Sequence, residues 1–151
     1  MDHEKNGIFT KVRQIGIITD DLEKYVNDYE QIYGITKSRD AYYPPDSDMD
    51  SCLRQIAYFN NSNVEMEVIE AKIDHKVWSE FIKKHGKGLH HIQYNVCDFA
   101  RAVEQMTEKG ISLIERGHSI TVPEVEFAFF DTVDQLGFVT EIVNVAEYGM
   151  D

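Results

Sequence analysis

Two stretches, VRQIGIITDDL from Val12 to Leu22 and LHHIQYNVCDF from Leu89 to Phe99, decide how this chain is read. Each opens as a β-prone run and closes on aspartate that can cap a helix, and the helices that follow stop at Gly34 and Gly110. Gln14 corresponds to His91, and Leu22 to Phe99, at a spacing of 77 residues; Gly34 corresponds to Gly110 at 76 and Glu67 to Glu141 at 74. A spacing this constant marks an internal repeat rather than a coincidence of element types.

Working outward, the first copy predicts a strand over Val12 to Thr19, a helix from Leu22 to Tyr33, an extended ITKSRDAYY and a proline- and acid-rich loop, PPDSDMD. Two strands follow, Cys52 to Phe59 and Val64 to Ala71, joined by the asparagine-rich turn Asn60 to Asn63. In the second copy Leu89 to Val96 is a strand, Asp98 caps a helix through Glu108, ISLIERG is extended, and EVEFAFFD and GFVTEIVNV are strands. Between the copies, His75 to His85 reads as a helix with Val77, Trp78, Phe81 and Ile82 on one side, a stripe best read as core. The fold expected is α+β: one domain over residues 1–151, made of βαβββ modules 12–71 and 89–145 joined by a helix at 75–85. Their sheets form a curved mixed sheet around a central pocket.

At 151 residues and 42% hydrophobic content the chain can bury one core, not two independent ones. With 27 acidic against 15 basic residues the formal net charge is -12, which argues against nucleic acid and anionic membrane as partners. Lys83, Lys84 and Lys87 read as the solvated face of a helix. Cys52 and Cys97 form no CxxC pair or disulfide framework and read as small buried residues of a reducing compartment. No signal-like apolar core follows MDHEKNG and no run approaches the ~18 apolar residues that span a bilayer, so a cytoplasmic location is expected.

Alternation assigns faces to the strands. Ile92, Tyr94 and Val96 share the face beneath the helices, leaving His91, Gln93 and Asn95 as a polar row toward the pocket. Gln14, Gly16 and Ile18 take that side of the first strand, with Ile15 and Ile17 opposite. Glu67 and Glu141 each sit in an otherwise apolar strand, where a buried carboxylate must be paired or metal-bound. Taken together, Gln14, Glu67, His91 and Glu141 supply an amide, two carboxylates and an imidazole. That oxygen-rich set suits one divalent ion: Mg²⁺, Mn²⁺, Co²⁺, Ni²⁺ or Zn²⁺. The plainer readings are a salt-bridged carboxylate for either glutamate and an edge position for Gln14. By alternation His90 faces away from His91 and reads as a structural histidine.

The stretch WSEFIKKHGKGLHHIQYNVCDF, Trp78 to Phe99, resembles the methylmalonyl-CoA epimerases of the vicinal oxygen chelate superfamily, which also contains glyoxalase I, fosfomycin-resistance proteins and extradiol dioxygenases. The resemblance extends to VRQIGIITDDLEKYVNDYEQIYGI, VEMEVIEA and FFDTVDQLGFVTEIV, nearly the whole chain. It implies one divalent metal held by residues of the first, fourth, fifth and eighth strands. These are Gln14 and Glu67, where the epimerases have His and Gln, then His91 and Glu141. A Gln in place of His weakens affinity for Zn²⁺ or Co²⁺, and a single histidine argues against an iron oxygenase.

The resemblance also implies that a proton is exchanged next to a carbonyl. Its expected base is a glutamate before the third strand, and this chain offers Asp48 and Asp50 there, with Glu141 as the other proton carrier. The function expected is a metal-dependent isomerase or epimerase acting on an acyl-CoA thioester. The alternatives are a glyoxalase-like lyase on a small α-hydroxy or α-keto compound and a non-catalytic small-molecule binding or resistance protein. A homodimer is expected, because short sheets leave unpaired edges and two-fold association is the commonest way to cover them.

Overall fold

The computed structural model describes residues 7–43, 54–71, 76–119 and 122–145. The chain divides into two compact units: Gln14–His90, and Met1–Arg13 together with His91–Asp151. We refer to them as the N-terminal and C-terminal units.

The elements in chain order are β1 (Phe9–Thr19), α1 (Leu22–Tyr33), β2 (Arg39–Tyr43), β3 (Arg54–Asn60), β4 (Glu65–Ala71), α2 (Lys76–His85) and β5 (Gly88–Val96). They continue with α3 (Phe99–Glu108), β6 (Leu113–His118), β7 (Glu126–Phe130), α4 (Val133–Leu136) and β8 (Val139–Val143). The structure therefore has the α+β class and the two βαβββ runs expected from the sequence, a mixed sheet flanked by helices.

The N-terminal strands run in the order β2-β3-β4-β1, with β1 parallel to β4 and the other neighbours antiparallel. The C-terminal strands repeat this as β6-β7-β8-β5, with β5 parallel to β8. The repeat holds down to individual pairs. Gln14 faces Glu65 and Gly16 faces Glu67 in one sheet, as His91 faces Val139 and Gln93 faces Glu141 in the other. The spacings of 77 and 74 read from the sequence are thus the spacings of equivalent register positions.

Local chemistry explains why the elements begin and end where they do. The Asp21 carboxylate accepts from the Lys24 amide at 3.0 Å and caps α1; Asp98 accepts from the Arg101 amide at 3.0 Å and caps α3. Such a cap is worth about 1 kcal/mol. Helix α1 closes on Gly34, whose φ of 67° is a left-handed conformation that glycine takes without a Cβ clash. The asparagine-rich hairpin turn between β3 and β4 puts Ser62 at φ 67°, held by a bond from the Ser62 amide to Asn60 Oδ1 at 2.9 Å.

In each unit one helix covers one face of the sheet. In the N-terminal unit Ala57, Phe59 and Val68 pack beneath Leu22, Tyr25, Val26 and Tyr29 of α1. In the C-terminal unit Val96, Ala128, Phe130 and Ile142 pack beneath Phe99, Ala102 and Met106 of α3. A fully buried Phe such as Phe130 stabilises the fold by roughly 2–3 kcal/mol through removal of apolar area from water. Trp78 of α2 is buried and stacks on His90 with ring centroids 4.4 Å apart, and Phe81 meets the same ring edge-on at 4.6 Å. His90 is a packed core histidine, as its alternation predicts.

Three features differ from the sequence reading. Strand β1 starts at Phe9, three residues before the expected Val12, because Thr10 ties it down: its hydroxyl donates to the Asn95 carbonyl at 3.0 Å and lies 3.1 Å from the Asn95 amide nitrogen. A single helical turn, α4, interrupts the run before β8, and four residues are too few to show a period. Cys97, expected to be buried, is an exposed free thiol, since it falls in the turn between β5 and α3. Cys52, Asp48 and Asp50 lie outside the described residues. No helix among the described residues is long and apolar enough to cross a membrane.

Candidate functional site

The helix-covered faces leave the opposite face of each sheet to be accounted for. In the C-terminal unit that face carries His91, Gln93 and Asn95 of β5, Glu141 of β8 and Phe129 of β7, by alternation and register. His91, Asn95 and Glu141 are 0%, 0% and 6% exposed, so the polar row is as deeply buried as the core beneath α3. Asn95 is explained by Thr10. His91 and Glu141 have a different relationship.

His91 Nε2 stands 3.1 Å from Glu141 Oε2. Yet Glu141 Oε2 is buried and accepts no hydrogen bond, so the imidazole N–H is not aimed at it. Two ligands of a single ion, with bonds near 2.1 Å at right angles, stand about 3.0 Å apart. The 3.1 Å spacing is that of an ion pair when the imidazole is protonated, and equally that of two neighbouring ligands of one divalent ion. Phe129 closes one side, edge-on to the His91 ring at 5.2 Å.

In the N-terminal unit, Gln14 and Glu67 share one face, two residues apart in register, as His91 and Glu141 do. Gln14 is 5% exposed, and its amide nitrogen donates to Glu65 Oε1 at 2.8 Å. Glu65 Oε2 lies 3.6 Å from Arg39 Nη2, and the Arg39 guanidinium sits 3.6 Å over the Tyr58 ring. A carboxylate only accepts hydrogen bonds, so Glu65 settles which end of the Gln14 amide faces it. The amide oxygen, the atom a hard cation would take, is turned the other way. Glu67 is half-buried, opposite Tyr58 across the strand pair.

Of the four predicted donors, then, the C-terminal unit brings His91 and Glu141 together, and the N-terminal unit puts Gln14 and Glu67 on one face. Among the described residues no group of three or more His, Cys, Asp and Glu side chains forms a cluster that could hold a metal. The sequence reading missed Glu65, Arg39 and Phe129. Glu65 was within reach: it stands two residues before Glu67 in the same strand, so alternation gives it the same face. Arg39 and Phe129 have no such signal, because they reach the site across strand pairs.

A separate cleft of about 490 Å³ in the N-terminal unit, lined by Asp20, Asp21, Lys24, Tyr25, Asp28 and Lys87, contains none of the predicted donors. Its two lysines are offset locally. Lys24 bonds to Asp28, and Lys87 Nζ lies 3.7 Å from Asp20.

Two runs of the same βαβββ topology, one with an imidazole and a carboxylate buried on its open face, make this a paired-module fold. The chain belongs to the glyoxalase/bleomycin resistance protein/dioxygenase superfamily, whose family model matches residues 13–129. Compared with curated protein sequences, the chain matches none. Among solved structures it is similar to a hypothetical protein from Bacillus halodurans, with 19% identity, a TM-score of 0.69 and coverage of 89% of this chain and 93% of that one. A variant of Streptomyces coelicolor methylmalonyl-CoA epimerase in complex with 2-nitronate-propionyl-CoA is 20% identical, with a TM-score of 0.69 and coverage of 90% and 94%. Methylmalonyl-CoA epimerase from Mycobacterium tuberculosis is 16% identical, at 0.69, over 92% and 90%. At these identities the likeness is one of fold.

Proposed function

We propose that this protein is a divalent-metal-dependent isomerase that moves a proton at the carbon next to a carbonyl, with an acyl-CoA thioester as substrate. The observation that carries the reading is the buried His91–Glu141 pair, whose 3.1 Å spacing and bare Glu141 oxygen call for a cation. In this reading His91 and Glu141 are ligands of the ion, with Gln14 and Glu67, their equivalents in the first copy of the repeat, as the further candidate ligands. Co²⁺, Mn²⁺, Mg²⁺, Ni²⁺ or Zn²⁺ suits the donor set. When bound, the ion supplies positive charge beside a substrate carbonyl, which lowers the barrier to removing the neighbouring proton.

The chain's own residues supply the rest. Glu141 holds a carboxylate oxygen in a water-poor site, where it takes up the proton from one side of the carbon. Asp48 or Asp50 returns a proton from the other, inverting the centre. Phe129, edge-on to the His91 ring, keeps water from that side of the pair. Gln14, with its amide fixed by Glu65, orients a neutral oxygen and leaves the ligand set with two formal negative charges, matched to a dication.

One observation favours a second reading. Lys24 and Lys87 already face Asp28 and Asp20, and the chain carries a net charge of -12, which weakens the attraction for a polyphosphate-bearing thioester. A small α-hydroxy or α-keto compound, turned over by a lyase, fits that electrostatic field better. Incorporation of deuterium at the substrate's α-carbon in ²H₂O tests the first reading and separates it from a binding protein, which gives none. We place the protein in the cytoplasm and read it as a homodimer; the support for the dimer is that β2 and β6, the two end strands, have no partner strand on their outer side among the described residues.

A further inference from the structure

The open face of the C-terminal sheet is not uniformly polar. Strand register arranges it in rows. Glu115, Phe129, Glu141 and Gln93 follow one another across β6, β7, β8 and β5; Gly117, Phe127, Val143 and Asn95 form the next row. The His91–Glu141 pair is thus bordered by two aromatic rings on the side of β7. Phe129 is 5% exposed and fixed edge-on to His91; Phe127 meets Phe129 edge-on at 5.7 Å and remains partly exposed. The ring that a bound molecule can touch is therefore Phe127.

Its position depends on Gly117. A Cβ built on Gly117 would lie 3.0 Å from Phe127 Cζ and 3.4 Å from Cε1, closer than carbon atoms pack. Backbone conformation does not call for this glycine, since Gly117 is absent from the positive-φ residues. What it provides is room: the Phe127 ring lies down over β6 because nothing projects from residue 117. Any side chain there pushes the ring away from β6, out over the sheet face it shares with Val143.

We propose that Phe127, seated on Gly117 and braced by Phe129, is the wall that sets the size of the group carried on the reacting carbon. The inference rests on the α-proton reading of the site. In this proposal the substrate's alkyl branch would lie against the partly exposed Phe127 ring, so the room it has would follow the tilt of that ring over Gly117. Specificity for small apolar groups is worth roughly 10- to 200-fold per methylene in such pockets.

The test uses metal-loaded full-length protein and three acyl thioesters with a 2-methyl, 2-ethyl or 2-propyl branch, with α-deuterium incorporation as the readout. In Phe127→Ala the 2-propyl to 2-methyl ratio of kcat/KM should rise at least about 10-fold, and in Gly117→Ala it should fall. Phe127→Leu, which keeps an apolar side chain in case the Ala variant does not fold, should move the ratio in the Ala direction. Ratios within twofold of wild type in all the folded variants overturn the wall. If the wild type binds the thioesters without exchanging deuterium, the isomerase reading fails. The wall is then judged on the ratios of dissociation constants by calorimetry, which should shift in the same directions, and unchanged ratios overturn it.

Discussion

His91 and Glu141 lie on adjacent parallel strands, both buried, with Nε2 and Oε2 3.1 Å apart and no hydrogen bond to Oε2. A buried carboxylate oxygen left without a donor costs about 1–3 kcal/mol or more, a cost that evolution removes unless something else takes the lone pair. A divalent ion, as proposed above, would do so, and would also account for an imidazole nitrogen at ligand spacing.

That relationship predicts metal binding by the protein as purified. His91→Ala and Glu141→Gln should each weaken affinity for Mn²⁺ or Co²⁺ by at least about 100-fold, more than the 10- to 100-fold typical of residues that only orient a ligand. Calorimetric titration of dialysed protein measures it. Affinities within threefold of wild type in both variants contradict the assignment.

The bond from Gln14 to Glu65 predicts an orienting role. Replacement Glu65→Gln removes the acceptor-only partner and lets the Gln14 amide turn over, so metal affinity should fall about 10- to 100-fold while circular dichroism is unchanged. Gln14→Ala should cost as much or more. The double variant should be no worse than Gln14→Ala alone, because the two act on one oxygen. Additive losses show that Glu65 acts elsewhere.

Much of this was legible in the chain before folding, for reasons that can be stated. The repeat carried the topology, since equivalent register pairs such as Gly16 with Glu67 and Gln93 with Glu141 keep the sequence spacings. Period-two alternation carried the faces, and put His90 and His91 on opposite sides. What alternation cannot show is the lateral neighbour. Glu65 beside Gln14, Arg39 over Tyr58 and Phe129 beside His91 are contacts across strands, decided by register rather than by any local pattern. The early start of β1 was hidden because the charged Lys11 and Arg13 break the apolar run. Cys97 was misread for the converse reason: an apolar neighbourhood in sequence does not bury a residue that sits in a turn.

The stack of Trp78 on His90 predicts a stability effect that leaves the metal site intact. Trp78→Ala removes a fully buried indole and should destabilise the protein by about 3–5 kcal/mol, read as a shift in the denaturation midpoint at constant slope. Metal affinity of the folded fraction should change less than threefold. A loss of affinity on the scale of His91→Ala would place α2 in the site.

The outer edges of β2 and β6, without a partner strand among the described residues, predict association in solution. Sedimentation equilibrium should give twice the 17.5 kDa chain mass at micromolar concentration. A monomer mass at every concentration contradicts the dimer.

The central claim is that the site moves a proton at the carbon next to a carbonyl, and deuterium wash-in measures it directly. A chiral 2-methyl-branched acyl-CoA thioester, incubated in ²H₂O with protein loaded with Mn²⁺ or Co²⁺, should gain one deuterium at the branched carbon and lose optical purity at the same time, with its oxidation level unchanged. Wash-in should stop on addition of EDTA, return when the metal is restored, and be absent from Glu141→Gln. If the thioester binds and no deuterium enters, with the metal present and Glu141 intact, the account is wrong.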